Sequence, residues 1–493
     1  MQNQKAREQT TRKITSEKMG VMPVGKLIFT MSLPAMISML VQALYNVVDS
    51  MFVSAIPGEE GAKALAAVSI AFPFQMLIMA FALGIAVGSG SLISRRLGEG
   101  DEYAASKVAS TGLIVSLLHC AGFMVLGLTV VRPLAGLFTS DAETIDMVVA
   151  YLSVCAVLSA GMYVEIFVNK ANQAMSRMII PMISQLIGAV TNIILDPVCI
   201  FFLGLGVRGA AIATVTGQIV AMIFTLIAFT VQKPEISISL KFVRMKGRTI
   251  ASIYKIGLPT IILNAVSSFT IMALNAVFNA FDSPDNVTIL GVYFKVQSFV
   301  FMPCFGLNQG ILPILAYNYG AVKKDRFVKA YTIALITALT IMVVGLLLFQ
   351  TTSPLILSAF RSVSENAALL KKTVKAFRII SISFLPAALG IITITAYQSI
   401  GRGISSMLMS ILRQVGFLLP VALFLSFTAG VDHVWWAYPV AEVAVIAVFF
   451  PLAIKTIKAV FDQKSAEAST ASESAEVPDF PRESAKTEAS DAL

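Results

Sequence analysis

Histidine and charge are both scarce in this chain. Only His119 and His433 occur among 493 residues, so neither an HExxH zinc helix nor a relay of several imidazoles can be assembled. Charged residues make up 13% of the sequence, about half the roughly 25% of a soluble domain. The four cysteines, Cys120, Cys155, Cys199 and Cys304, each lie in an apolar stretch without metal-ligand spacing and read as small packing residues. A nucleotide motif is missing too. Gly20-x4-Gly25-Lys26 begins like a phosphate loop, but Leu27 stands where Ser or Thr would bind magnesium, and no strand precedes it. With no catalytic set and no cofactor motif, the chain reads as a non-enzyme.

What is abundant is apolar sequence, with 57% hydrophobic residues and a mean hydropathy of +0.81. That composition predicts a polytopic all-α membrane protein. A spanning helix needs about 20 apolar residues, and hydropathy places twelve, near 26–53, 64–93, 105–131, 143–168, 179–203, 209–231, 249–281, 286–318, 327–350, 366–395, 405–428 and 434–457. The formal net charge of +9 would suggest nucleic acid in a soluble chain. Here the cations fall mainly in alternate short loops, among them Arg12, Lys13, Arg95, Arg96, Lys170, Arg177, Arg244, Lys246, Lys323, Lys324, Arg326 and Arg402, so they set topology instead. This pattern predicts a multi-pass plasma-membrane protein with both termini cytoplasmic and no nucleic-acid partner. Residues 1–24 are polar and basic and lead into the first span, which is expected to act as an uncleaved insertion signal.

The second half restates the first. Leu33-Pro34 returns as Leu258-Pro259 (258 − 33 = 225), Gly84, Gly88 and Leu97-Gly98 as Gly306, Gly310 and Tyr319-Gly320 (320 − 98 = 222), and Gln173 to Arg177 as Gln398 to Arg402, at 225 again. With six helices per copy, both copies enter the membrane in the same direction, which makes a parallel repeat about an axis along the membrane normal. The predicted organisation is a segment 1–25, an N-lobe 26–231, a linker 232–248, a C-lobe 249–457 and a tail 458–493, with a cleft between the lobes. The tail from Lys464 on is rich in Ala, Ser and Glu and is expected to be disordered.

One carboxylate interrupts the first span, LPAMISMLVQALYNVVDSMFV. Asp49 sits where an ionised side chain is expensive and normally faces a cavity, a partner or an ion path. The competing reading puts Asp49 at the wetted end of its helix. On the fifth span Asn192 and Asp196 are four apart and share a face, and Pro197 has no N–H for the carbonyl of Ile193. Oxygens of these three kinds suit a hard cation such as sodium, and a second carboxylate close by would favour a proton instead. Asp196 as a simple helix end is the alternative. The second half offers Lys295, Arg413 and Glu442 within spans, and the last two are expected to pair. Gly84, Gly88 and Gly90 allow close helix approach. An adaptable cavity is expected to draw on polar, aromatic and Met residues, with Gln42, Tyr45, Phe72, Gln75, Met79, Tyr163, Asn275 and Gln297 as candidates.

The stretches LPAMISMLVQALYNVVDSMFV, ALAAVSIAFPFQMLIMAFALGIAVGSGSLISRRLGEGD, GVRGAAIATVTGQ, QSFVFMPCFGLNQGILPILAYNYG and ALGIITITAYQSIGRGISSMLMSILRQ together resemble the multidrug and toxic compound extrusion (MATE) family, in its prokaryotic branch. The likeness covers roughly residues 25–457. It implies a two-lobed, twelve-helix antiporter, working as a monomer in a lipid bilayer. Such a protein exports amphipathic, cationic drugs or metabolites in exchange for protons or sodium. It also implies a cation site at Asp49, Asn192, Asp196 and Thr214, with Thr216 also available for the last position. The acidic coupling residues that other branches carry on helices 7 and 10 have no match here. A lipid-linked precursor flippase of the same fold, with a cation-lined cleft, is the alternative, followed by a membrane enzyme or a channel.

Overall fold

The computed structural model describes residues 16–475 apart from 55, 57, 137, 138, 140, 233, 244–246 and 359. The expectations for Arg12, Lys13, Arg244, Lys246 and the tail after 475 lie outside those residues. Among the described residues there is no strand, and twelve segments have membrane-span length and hydropathy, ten continuous and two bent. The N-lobe holds α1 (Val24–Ser54), α2 (Gly58–Gly98), α3 (Glu102–Thr129), α4 (Ala142–Val157, then Ala160–Ala174), α5 (Ile179–Pro197) and α6 (Gly206–Val231). The C-lobe holds α7 (Gly247–Ala280), α8 (Pro284–Gly320), α9 (Lys324–Thr351), α10 (Ala367–Ser381, then Phe384–Ser399), α11 (Gly403–Thr428) and α12 (Ala437–Ala475).

The two bent spans are copies of one device. Segment α4 turns by 45° and α10 by 46°. At each corner a serine hydroxyl donates to a carbonyl three residues back, Ser159 to Ala156 at 2.7 Å and Ser383 to Ile380 at 2.7 Å. A side-chain donor there competes with the helical ladder. The turn carries α4 on to Ala174, further than the expected end at 168, and this moves Lys170 from a loop into the buried helix.

The lobes touch along one half of the molecule. Helix α1 packs on α8, and α2 on α7. Glycine makes the approach possible, since a Cβ on Gly257 would lie 2.2 Å from the carbonyl oxygen of Gly84, and one on Gly98 only 2.1 Å from that of Tyr317. Backbones this close gain dispersion and interhelical contact where lipid supplies no hydrophobic drive. Gly306 and Gly310 on α8 are likewise closed over Met36 and Ser32. Lys295 and Phe299, on the same face of α8 in its other half, are exposed. That half of α8 is therefore left uncovered on this face, in keeping with the predicted cleft between the lobes.

Both described ends of the chain lie on the closed half. Met19 is fully buried; its carbonyl accepts from Asn318 Nδ2 at 3.0 Å and from Arg326 at 3.2 Å, while Lys323 Nζ donates to the carbonyl of Gly20 at 2.9 Å. At the other end, the stretch from 458 expected to be disordered is helical to Ala475. Lys464 reaches Glu99 at 3.0 Å and the Tyr319 ring at 4.5 Å, and Asp462 pairs with Lys324 at 2.7 Å. Polarity alone suggested disorder, but the charges find partners on both lobes. Deleting 476–493 is expected to leave thermal stability and transport unchanged, whereas deletion from 462 should lower the unfolding midpoint of the purified protein by a few degrees. Equal midpoints for the two truncations would show that the Asp462 and Lys464 contacts carry no weight.

Candidate functional site

The site is built where three N-lobe helices converge. Gly188 and Gly217 let α5 and α6 approach, a Cβ on Gly217 standing 2.7 Å from the carbonyl oxygen of Gly188. One turn along, Asn192 Nδ2 donates to Asp196 Oδ1 at 3.2 Å and lies 3.3 Å from Thr214 Oγ1. Thr216 instead turns its hydroxyl back to the carbonyl of Ile212 at 2.7 Å, which leaves Thr214 as the threonine of the cluster. Helix α1 packs on α5 and sets the Asp49 carboxyl beside that of Asp196. Asn192 is 3% exposed and Asp196 0%, so neither is a wetted helix end.

Three oxygens in this cluster have no hydrogen-bond donor: Asp49 Oδ1, Asn192 Oδ1 and Asp196 Oδ2 are buried and unsatisfied. Leaving one such atom unpaired costs about 1–3 kcal/mol, more when charged. Beyond Asp196 the helix passes through Pro197 into π-helical turns over Val198–Phe202, a feature frequent at functional sites. Four oxygen-bearing side chains with three open acceptors make a place for a proton or a small hard cation. The repeat does not copy it. At the 225-residue offset the positions of Asp49, Asn192 and Asp196 are taken by Leu274, Phe417 and Val421.

Two buried charged residues lie on α4: Glu165 is not among the expected site residues, and Lys170 is expected in a loop. Glu165, 8% exposed, accepts from Asn169 Nδ2 at 3.2 Å and from Ser184 Oγ at 3.0 Å. Lys170, 8% exposed, donates to Gln173 Oε1 at 2.9 Å and, across the seam, to Gln309 Oε1 at 2.8 Å. Gln309 in turn lies 2.9 Å from Met39 Sδ. Lys170, Gln309 and Met39 thus link the N-lobe helices α4 and α1 to α8 across the seam. Glu165 lies just inside the expected end of the fourth span at 168, whereas Lys170 lies beyond it and is carried inside by the longer helix.

The cavity candidates divide. Phe72 is 52% exposed, and Gln42, Tyr45, Met79, Asn275 and Gln297 are half-buried. Gln75 is occupied within the N-lobe, accepting from the Tyr151 hydroxyl at 3.4 Å. Tyr163 is a correction. It is wholly buried and donates to the carbonyl of Ile78 at 3.2 Å, so it braces the N-lobe core and does not reach the cleft. In the C-lobe Arg413 and Glu442 stand 3.5 Å apart as an ion pair.

The MatE family model matches residues 34–198 and 259–424, two segments that start 225 residues apart (259 − 34) and together fall on both lobes. The chain belongs to the MatE family. As a MatE protein it is a membrane transporter and not an enzyme. The multidrug export protein MepA of Staphylococcus aureus is 27% identical over 428 residues, covering 85% of this chain and 91% of that one. Among solved structures, the outward-facing conformation of a multidrug resistance MATE family transporter of the MOP superfamily superposes with a TM-score of 0.85 at 25% identity, over 91% of this chain and 98% of the other. A MATE crystal structure in complex with MaL6 matches at a TM-score of 0.86 and 24% identity, covering 91% of this chain and 99% of that chain, a likeness of fold.

Proposed function

We propose that this MatE protein exports amphipathic, cationic organic compounds across the plasma membrane in exchange for protons or sodium, alternating between openings on the two sides. The observation that carries the coupling is the trio of unsatisfied oxygens at Asp49, Asn192 and Asp196. Export of drugs is supported by the likeness to MepA, and the exposure of Lys295 and Phe299 on α8 is consistent with an opening between the lobes. Both termini then lie in the cytoplasm, on the closed half, and one chain supplies both walls of the cleft, as a monomer would. Dye efflux from vesicles, driven first by an imposed pH gradient and then by an imposed sodium gradient, tests the reading and chooses the ion. No acceleration under either gradient would overturn it.

A second reading has one observation behind it: Lys295 on α8 is exposed and Lys170 is held at the seam between the lobes, and a flippase for an anionic lipid-linked precursor would use such cations. Dye export without any effect of such lipids would remove it.

Within the site, Asp196→Asn is expected to weaken the cation dependence of substrate release more than Asn192→Ala. A bond involving a charge is worth about 1.5–3 kcal/mol against about 0.5–1.5 for a neutral one. Cation titrations of dye release in reconstituted vesicles measure both, and unchanged midpoints in the two variants would displace the site from α5.

A further inference from the structure

A cavity of about 360 Å³ opens on the closed half, at the ends of α2 and α8. Arg95, Arg96, Lys255, Arg402 and Lys464 line it, with Glu467 the one carboxylate among the described lining residues. The cations come from both lobes: Arg95 and Arg96 end α2, while Lys255, Arg402 and Lys464 belong to α7, the start of α11 and α12. Glu99 answers two of them, at 2.7 Å from Arg96 and 3.0 Å from Lys464. Among the described residues Arg95, Lys255 and Arg402 make no salt bridge. Arg95 donates to the carbonyl of Ser399 at 2.9 Å and lies 4.8 Å from the centre of the Tyr319 ring, but its Nε is buried with no acceptor.

An excess of cations on this face is the ordinary signature of topology, but topology does not require them to converge. Here an arginine of one lobe meets a lysine and an arginine of the other around one space, and like charges in proximity push the lobes apart where they are in closest contact. The Arg95–Ser399 and Lys464–Glu99 contacts already cross the seam here, and an anion placed among the remaining cations would offset their mutual repulsion and add to those bonds. The level is right for one: Tyr319 sits beside the cavity where α8 leaves the apolar zone, the depth at which tyrosines mark the headgroup region. Arginine forks and lysine ammoniums together are what a phosphate group engages.

We propose that this cavity binds a phosphate-bearing anion which bridges the two lobes and holds this half closed. Because the cavity exists only while α2 and α8 ends are together, the ligand favours that state over the opposite one, and such differential affinity is what shifts a two-state equilibrium. The chemistry is common to an anionic phospholipid headgroup and to free phosphate. The inference goes beyond export, and closure is read without transport, so failure of either leaves the other to be judged separately.

The test is the rate at which a thiol-reactive reagent labels a cysteine placed at Ser91, a buried residue whose hydroxyl faces the carbonyl of Gln398 across the seam. The protein is compared in nanodiscs of phosphatidylcholine, of phosphatidylcholine with phosphatidylglycerol, and of phosphatidylcholine with inorganic phosphate, at one ionic strength. Protection in the second alone assigns the headgroup, and protection in the third assigns free phosphate. In Lys255→Gln and Arg402→Gln the protection should fall by about fivefold for each cation removed. It should survive in Lys255→Arg and Arg402→Lys, which keep the charge. Equal labelling in all three discs, or full protection in Lys255→Gln, whose exposed side chain has no structural burden, would overturn the proposal.

Discussion

Asp49→Asn should insert and fold as the wild type does, and its gradient-driven export should fall between about 5- and 150-fold, the span of an ordinary coupling free energy. The substitution keeps size and hydrogen-bonding capacity and removes one of two neighbouring carboxyls. Two unit charges 4 Å apart repel by about 4 kcal/mol at an effective dielectric of 20. A proton or sodium ion taken up between Asp49 and Asp196 removes that repulsion. With asparagine at position 49 there is little left to relieve, so uptake no longer drives a change of state. Linkage supplies a second readout. If occupation of the site by a cation disfavours a cationic substrate, wild-type binding must weaken as pH falls or sodium rises, and bound substrate must weaken cation binding by the same factor. Binding of a cationic dye to purified Asp49→Asn should therefore be flat across pH. A mutant that keeps both the export rate and the pH profile of the wild type would sink the first-lobe mechanism.

Gly257→Ala is expected to open the closed half. The added Cβ meets the carbonyl oxygen of Gly84 at 2.2 Å, backbone against backbone, so no rotamer change gives way. Forcing a methyl into packed structure costs about 1–3 kcal/mol. That cost falls only on the state in which α2 and α7 touch, so it moves the population toward the other state by about 5- to 150-fold. Thiol labelling of a cysteine at Ser91 reports the shift. The native cysteines make a quiet background for it, because Cys120, Cys155, Cys199 and Cys304 are all buried. Unchanged labelling in Gly257→Ala would mean that the seam is not the moving contact.

Much of the fold was legible because a bilayer leaves few choices: apolar length marks the spans, and the glycine and proline registers mark the repeat. The N-lobe site was legible for a similar reason, since Asp49 and Asp196 are conspicuous inside apolar runs. Glu165 and Lys170 were not. They fall close to where hydropathy drops at the end of the fourth span, and the bend at Ser159, where the hydroxyl bonds back to the carbonyl of Ala156, leaves no mark in a hydropathy profile. Tyr163 erred in the other direction, because an aromatic on a span has the same pattern whether it faces a cleft or a core. The helix to Ala475 is stabilised by Glu99, Lys324 and Tyr319, residues far from it in sequence, and no local composition reports that.

The seam has a symmetry that its chemistry lacks. Gly84 closes on Ile261, and its repeat partner Gly306 closes on Met36, the residue that corresponds to Ile261 (261 − 36 = 225). Gly98 meets Tyr317 while Gly320 meets Arg95, again a matched exchange (317 − 95 = 222). Each half thus offers the other the same patch that it receives, which is the isologous contact of a C2 homodimer written into one polypeptide. Fusion frees the two copies to diverge wherever the contact does not need both. The halves remain equivalent as jaws, while Leu274, Phe417 and Val421 show that only one of them carries the Asp, Asn and Asp of this position.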